Sequence, residues 1–158
     1  MPRRSRPCLY QPTTARPRRR GSGDHVRDGR SKRLVQRYYQ DVLAGRRLDV
    51  LELLVSPTFI GHDPAGATMD RDGYFAAVRM MHEAFAQLDV SIDDQVAEND
   101  RVTTRWSAVA THIGDFAGIP PTGRNVILTG IDIHRVDGDR LVELWEQLDL
   151  ATLISQLM

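Results

Sequence analysis

Carboxyl and imidazole side chains recur at alternate positions near the end of the chain, in two segments whose pattern predicts β-strands, 126–136 and 139–149. An apolar pocket raises the pKa of a carboxyl group, which can then donate and remove protons near neutral pH. Two carboxyl groups in one pocket repel each other, and this separates their pKa values and their roles. Asp132 and Asp149 are therefore the first candidates for acid/base chemistry, with Glu146 as an alternative.

The pairing of these two strands decides which side chains can cooperate. If Asp137-Gly138 is the two-residue loop of a hairpin, Asp132 lies opposite Glu143 and Gly130 lies opposite Trp145. Because side chains alternate along a strand, one face then carries Gly130, Asp132, His134, Glu143, Trp145, Gln147 and Asp149. The other face carries Ile127, Ile131, Ile133, Val142, Leu144, Glu146 and Leu148. A bulge or a slip of one residue would change this partition.

The elements that must position these side chains are helices followed by strands. Helical spacing of apolar residues predicts helices over about 31–45, 48–55 and 70–86, the first capped by Ser31. Period-two patterns predict about four long antiparallel strands after residue 88. This order predicts an α+β fold in which a curved antiparallel sheet wraps around about three N-terminal helices, giving a cone that encloses a cavity.

Composition excludes several classes of protein. The chain has 158 residues, enough for one domain, and no apolar run approaches the roughly 18 residues of a membrane span. Cys8 is the only cysteine, so an internal disulfide is impossible and no cysteine-rich zinc site can form. The sequence shows no metal-spaced ligand cluster, Gly-rich phosphate loop or nucleophile elbow. We therefore expect no metal, no membrane association and a cytoplasmic location.

The first thirty residues form a basic tail. Residues 1–33 carry eleven Arg or Lys against two Asp, whereas the remainder is acidic. Residues 1–30 are rich in Pro and Arg and poor in apolar side chains, which predicts disorder, and residues 31–158 form the folded domain. The tail could bind nucleic acid, fold back on the acidic body, or result from a start codon assigned too far upstream. We favour an inert tail and expect no nucleic-acid partner.

Several motifs resemble one known family. They are His62-Asp63-Pro64, Gly118-Ile119-Pro120-Pro121-Thr122-Gly123, the run 130–135 and the segment Glu143-Leu144-Trp145-Glu146-Gln147-Leu148-Asp149. Together with residues 111–116 they resemble the SnoaL-like polyketide cyclases, also called ester cyclases, of the nuclear-transport-factor-2-like superfamily. The resemblance covers about residues 33–157 and implies the nuclear-transport-factor-2-like cone.

The resemblance also implies a function. Characterised members close a ring in a polyketide ester by an intramolecular aldol reaction, without a metal or an organic cofactor. The resemblance assigns the general acid/base to Asp149 and an assisting role to His134, to which we add Asp132. We therefore favour the face that carries these residues as the pocket lining. The more apolar face would then be buried in a homodimer, which the resemblance also implies. The alternative is that the more apolar face turns towards the helices, which would place Glu146 in the cavity.

Four further residues are candidates for binding the small-molecule substrate: His62, Trp106, Gly130, whose missing side chain leaves space for a ligand ring, and Trp145. Each has a structural alternative, as does Asp149, which could simply cap the short terminal helix that we predict over about 150–157. Two other functions stay open. One is epoxide hydrolysis, in which Asp132 acts with Arg105 or Arg135, and the other is a non-catalytic ligand-binding or dimerisation module.

Overall fold

The computed structural model describes residues 22–158, and residues 1–21 lie outside it. Within the described residues there are four α-helices: α1 (Ser22–Arg37), α2 (Leu48–Leu54), α3 (Arg71–Ala84) and α4 (Leu150–Leu157). A π-helical segment, Tyr38–Ala44, continues α1. The strands are β1 (Val55–His62), β2 (Thr68–Asp70), β3 (Phe85–Glu98), β4 (Arg101–His112), β5 (Asn125–Asp137) and β6 (Arg140–Leu148).

The strands form one curved sheet in the order β2-β1-β6-β5-β4-β3. All neighbours are antiparallel except β1 and β6, which are parallel. The register of β3 against β4 shifts twice, between Ala86 and Asp89 and between Ile92 and Asp94. Such bulges bend a strand and increase its twist. The sheet therefore curls around the helices, and the α+β cone expected from the sequence is confirmed.

The helices inside the cone are held by caps and by aromatic packing. The carboxylate of Asp70 accepts a hydrogen bond from the amide of Gly73 at 2.9 Å and starts α3. Tyr38 and Tyr39 are both buried, since the π-helical segment lies between the sheet and α3. The ring of Tyr38 stacks near that of Tyr74 on α3, whereas Tyr39 faces Trp106 on β4. These neighbouring tyrosines thus pack in different directions, Tyr38 against α3 and Tyr39 against β4.

The last hairpin differs from its predicted register. Asp137 pairs with Arg140, so Gly138 and Asp139 form the two-residue loop, and Gly138 has the positive φ of 57° that such a turn requires. The pairing then shifts by one residue, because Val136 faces Leu141 but Arg135 faces Glu143. Asp132 consequently lies opposite Glu146, not opposite Glu143 as the sequence predicted.

Two further features differ from the prediction, the start of the first helix and the presence of strand β2. The first helix begins at Ser22 rather than Ser31, so residues 22–30, which we assigned to the tail, are helical. The short strand β2 was not predicted. The predicted disorder of residues 1–21 concerns a segment outside the described residues. No helix in the described part of the chain is long and apolar enough to cross a membrane.

Candidate active site

A cavity of about 310 Å³ lies between the inner face of the sheet, the π-helical segment and α3. Its lining is mostly apolar, and its polar side chains are Tyr38, Tyr74, Trp106, Asp63, Asp132 and Glu146. Pro64, Ala65, Met80 and Leu150 also line it and are exposed, so they mark its mouth. The lining within residues 22–158 contains no Lys, Arg or His. An apolar, acidic cavity of this kind suits an uncharged ligand.

Asp132 is the most deeply buried carboxyl group in this cavity, with 3% of its surface exposed. The hydroxyl of Tyr39 donates a hydrogen bond to Oδ2 of Asp132 at 2.5 Å. Burial, followed by the charge of Glu146, raises the pKa of Asp132 to about 8, although Tyr39 and Trp106 oppose the rise. Asp132 is therefore mainly a neutral carboxylic acid at pH 7.

Glu146 lies directly opposite Asp132 on the neighbouring strand, and its side chain enters the same cavity. Burial raises its pKa, and the nearby charge of Asp63 in the turn after β1 raises it further. Because the charge of Glu146 contributes to the raised pKa of Asp132, Glu146 is the group that ionises first. The two carboxyl groups therefore ionise in sequence, Glu146 before Asp132.

Trp106 lines the cavity, as expected from the sequence, but Gly130 has a different role from the one predicted. Gly130 faces Trp106 across β4 and β5, and a Cβ atom on Gly130 would lie 2.7 Å from Cε2 and Cζ2 of the indole. The space that we expected to accept a ligand ring is therefore filled by the tryptophan. Gly130 acts on the site indirectly, by letting the indole lie across the strand next to Asp132.

Asp149 and His134, two of the three predicted catalytic residues, do not line the cavity. Asp149 is exposed and caps α4, accepting a hydrogen bond from the amide of Thr152 at 3.1 Å, and this bond lowers its pKa. His134 is fully buried against the rings of Tyr38 and Tyr39, and burial lowers its pKa to about 3. An exposed, ionised cap and a buried, neutral imidazole are both unsuited to the expected roles.

His62 and Trp145 lie on the outer face of the sheet rather than in the cavity. Their rings stack in parallel, with centroids 5.2 Å apart, and Nε2 of His62 lies 3.0 Å from Oε1 of Glu143. The guanidinium of Arg101 lies over the ring of Trp145, 5.3 Å from its centroid. The shift in the β5–β6 register is the physical reason for this placement, since it turns Trp145 away from Asp132.

The two arginines that the epoxide-hydrolase alternative would pair with Asp132 do not lie near it. Arg105 lies on the outer face and binds Asp93 and Asp94, and Arg135 binds Glu143 on the same face. Asp132 is on the inner face, so no Asp-Arg-Asp set forms around it. Within residues 22–158, no group of three His, Cys, Asp or Glu side chains could hold a metal ion.

Sequence reasoning missed Tyr39, the direct partner of Asp132, and placed Glu146 on the wrong face. No local signal marks Tyr39, because its neighbour Tyr38 has the same residue type and lies on the same helical turn. The signal for Glu146 was its alternation with Leu144 and Leu148, two apolar residues on one side of β6. Burial of that side was the alternative that the sequence left open.

Comparison with known proteins is consistent with this architecture. The sequence model of the SnoaL-like polyketide cyclase family matches residues 33–157, and the chain belongs to this family. IdmH from Streptomyces antibioticus, described as a candidate polyketide cyclase, is 29% identical with a TM-score of 0.70, over 80% of this chain and 97% of that chain. No curated protein matches the chain.

Two more solved structures show the same fold. A candidate polyketide cyclase from Acidithiobacillus ferrooxidans is 26% identical with a TM-score of 0.71, over 81% of this chain and 94% of that chain. A candidate SnoaL-like polyketide cyclase from Jannaschia sp. CCS1 has a TM-score of 0.78 at 17% identity, over 89% of this chain and 97% of that chain. At this identity the second structure supports the fold alone.

Proposed function

We propose that the chain is a cyclase or isomerase that acts by acid/base catalysis on an uncharged, polyketide-like carbonyl compound, without a cofactor. The observation that carries the proposal is the pair Asp132 and Glu146, which lie opposite each other on neighbouring strands inside an apolar cavity and both have raised pKa values. This pair takes the acid/base role that the sequence resemblance assigned to Asp149. Such a reaction belongs to secondary metabolism, and the cytoplasm stays the predicted location.

The reaction that fits the pair is an intramolecular aldol closure. The carboxylate of Glu146 removes a proton from a carbon next to a carbonyl group, and the electron pair moves onto the carbonyl oxygen. The enolate carbon then attacks a second carbonyl carbon of the same molecule, forming the ring bond and an alkoxide. Glu146 returns its proton to the alkoxide, so the mass of the substrate does not change.

The charge of the cavity limits the substrate. Its described lining holds Asp63, Asp132 and Glu146 and no basic side chain. A free carboxylate or phosphate would lose its hydration without gaining a cationic partner, which is unfavourable. We therefore expect an ester or another uncharged derivative of a polyketide acid.

The proposal is tested with variants that keep the shape of each carboxyl group. Glu146→Gln should reduce turnover of a panel of polyketide methyl esters by roughly 10²- to 10⁴-fold, the usual contribution of a general acid/base. Asp149→Asn is the matched control, and it should retain activity because Asp149 lies outside the cavity. Mass spectrometry follows the product, which should have the mass of the substrate.

Three outcomes would contradict the proposal. Full activity of Glu146→Gln would show that Glu146 is not the acid/base. A product that has gained solvent oxygen would indicate hydrolysis instead of cyclisation. Saturable binding of the esters without any turnover would support the ligand-binding module that the sequence left open.

We also propose that the chain forms a homodimer through the outer face of its sheet. This face exposes Val109, Ile127 and Ile131, with 53%, 56% and 48% of their surfaces accessible, next to the half-buried Trp145. Exposed apolar residues that cluster on one face are typical of protein interfaces. The polar cluster of His62, Glu143 and Arg135 at the side of this face would form its rim.

A further inference from the structure

Three side chains that line the cavity, Tyr74, Trp106 and Asp132, have a buried polar atom without a hydrogen-bond partner in the described chain, and two of the three lie on neighbouring strands of the sheet. On the neighbouring strands, the indole Nε1 of Trp106 and Oδ1 of Asp132 are both buried and complete no hydrogen bond in the described chain, although the indole N–H lies close enough to the carboxyl group to oppose the rise of its pKa. A buried polar group left unsatisfied costs roughly 1–3 kcal/mol. These two groups belong to side chains that line the same cavity on neighbouring strands, so a single ligand atom could reach both.

Their chemistry identifies the ligand atom. The indole nitrogen is only a donor. Oδ2 of Asp132 already accepts the hydroxyl proton of Tyr39, which leaves Oδ1 to carry the proton of the neutral carboxyl group. The two neighbouring side chains therefore offer the cavity two donors, one N–H and one O–H. A carbonyl or enolate oxygen, which only accepts hydrogen bonds, is the complementary group.

Gly130 holds the indole in this position. A side chain at residue 130 would collide with Cε2, the indole carbon bonded to Nε1. The missing Cβ lets the indole edge lie against β5, two residues from Asp132 on the same face. Trp106 thus depends on a glycine across the strand pair to bring its N–H to the carboxyl group.

We propose that Trp106 Nε1–H and the Asp132 carboxyl group form a donor pair for one substrate oxygen, the carbonyl oxygen that becomes negative when Glu146 removes the adjacent proton. This assignment makes Trp106 a catalytic residue and Tyr39 a positioning residue, and it rests on the proposed function. The two donors stabilise the enolate by hydrogen bonds, and no bond to the protein forms or breaks. The acidic cavity can then hold a transient oxyanion without a basic side chain.

Indole NMR signals test the donor pair without requiring turnover. The chain has two tryptophans, Trp106 and Trp145, so the ¹H–¹⁵N spectrum shows two indole signals, which Trp145→Phe assigns. The probe is 4-nitrophenol, whose phenolate oxygen resembles an enolate oxygen and whose ionised form absorbs visible light. The measurements are made in the variant Glu146→Gln, which we call the host protein. Its neutral glutamine imitates Glu146 after it has removed the proton, the state in which the enolate exists.

In this host, 4-nitrophenol should bind partly as the phenolate, and the Trp106 indole proton should move downfield while the Trp145 signal stays in place. Adding Trp106→Phe should weaken binding about tenfold, the effect of one hydrogen bond, and should reduce the fraction bound as phenolate. Adding Trp145→Phe should change neither quantity.

Three results would overturn the donor pair. One is an unmoved Trp106 signal at saturation with the probe. This result is obtained in the host protein and does not require Trp106→Phe to fold. The others are equal affinity with Trp106→Phe and no binding at all. Failure to find a cyclised product would affect only the proposed function, because this measurement follows hydrogen bonding and not chemistry.

Discussion

Asp132→Asn should make the protein more stable at neutral pH, although it removes a carboxyl group from the proposed active site. The unfolded pKa of this carboxyl group is 3.8 and the folded pKa is about 8. In this interval the folded protein binds one proton more than the unfolded chain, so the free energy of unfolding falls as pH rises. The contribution of Asp132 to the free energy of unfolding is therefore fully present below pH 3.8, and it is lost as the pH rises through 8.

The size of the effect follows from the same two values. Each pH unit between them costs about 1.4 kcal/mol, so roughly three units between pH 3.8 and 7 amount to about 4 kcal/mol. That is a large part of the 5–15 kcal/mol typical of a folded domain. Asn keeps the acceptor for Tyr39 and stays neutral at every pH. We expect the variant to lose this part of the pH dependence.

Urea denaturation of wild type and variant at pH 5, 6, 7 and 8 measures the difference. Burial of neutral His134 makes stability rise with pH below 6.5, but this contribution is common to both proteins and cancels in the difference. Asp89→Asn, an exposed aspartate of β3, serves as the control and should leave the slope unchanged. Parallel curves for wild type and Asp132→Asn would refute a protonated Asp132 and the roles derived from it.

Two further predictions concern residues outside the cavity. Asp149→Ala should lower the free energy of unfolding by about 1 kcal/mol, because α4 loses its cap, while turnover stays at the wild-type level; a large loss of turnover would return Asp149 to the catalytic site. Ile131→Asp should convert the proposed dimer to a monomer in light-scattering measurements, because a charge would be buried in the interface. An unchanged mass would exclude this face as the interface.

The sequence was sufficient to predict most of the elements. Helix α3 is capped by Asp70 and carries an apolar stripe through Tyr74 and Val78. This helix and the long strands β4 and β5 follow from local periodicity and capping. The motifs in residues 118–123 and 130–135 indicated the family, which is confirmed. Asp132 and Trp106 line the cavity, and each lies on a regular strand with a clear alternation, whereas their predicted functional roles stay predictions.

The placement of the remaining site residues, inside or outside the cavity, depended on the register of the β5–β6 hairpin. Moving the loop from Asp137-Gly138 to Gly138-Asp139 shifts the pairing by two residues, which leaves each side chain on its predicted face. The bulge at Val142 adds one more residue, and because side chains alternate with a period of two, it exchanges the faces of β6. Glu146 therefore enters the cavity, and Trp145 turns outward to stack on His62.

The sequence by itself determined the family and the order of the elements, and it favoured the inward face of β5 without deciding it. The tertiary structure alone decided which carboxyl group faces Asp132 and which hydroxyl binds it. The physical reason is that a bulge is set by packing across the sheet, and that Tyr39 lies 93 positions before Asp132 in the chain. Neither relation has a local pattern in the residues.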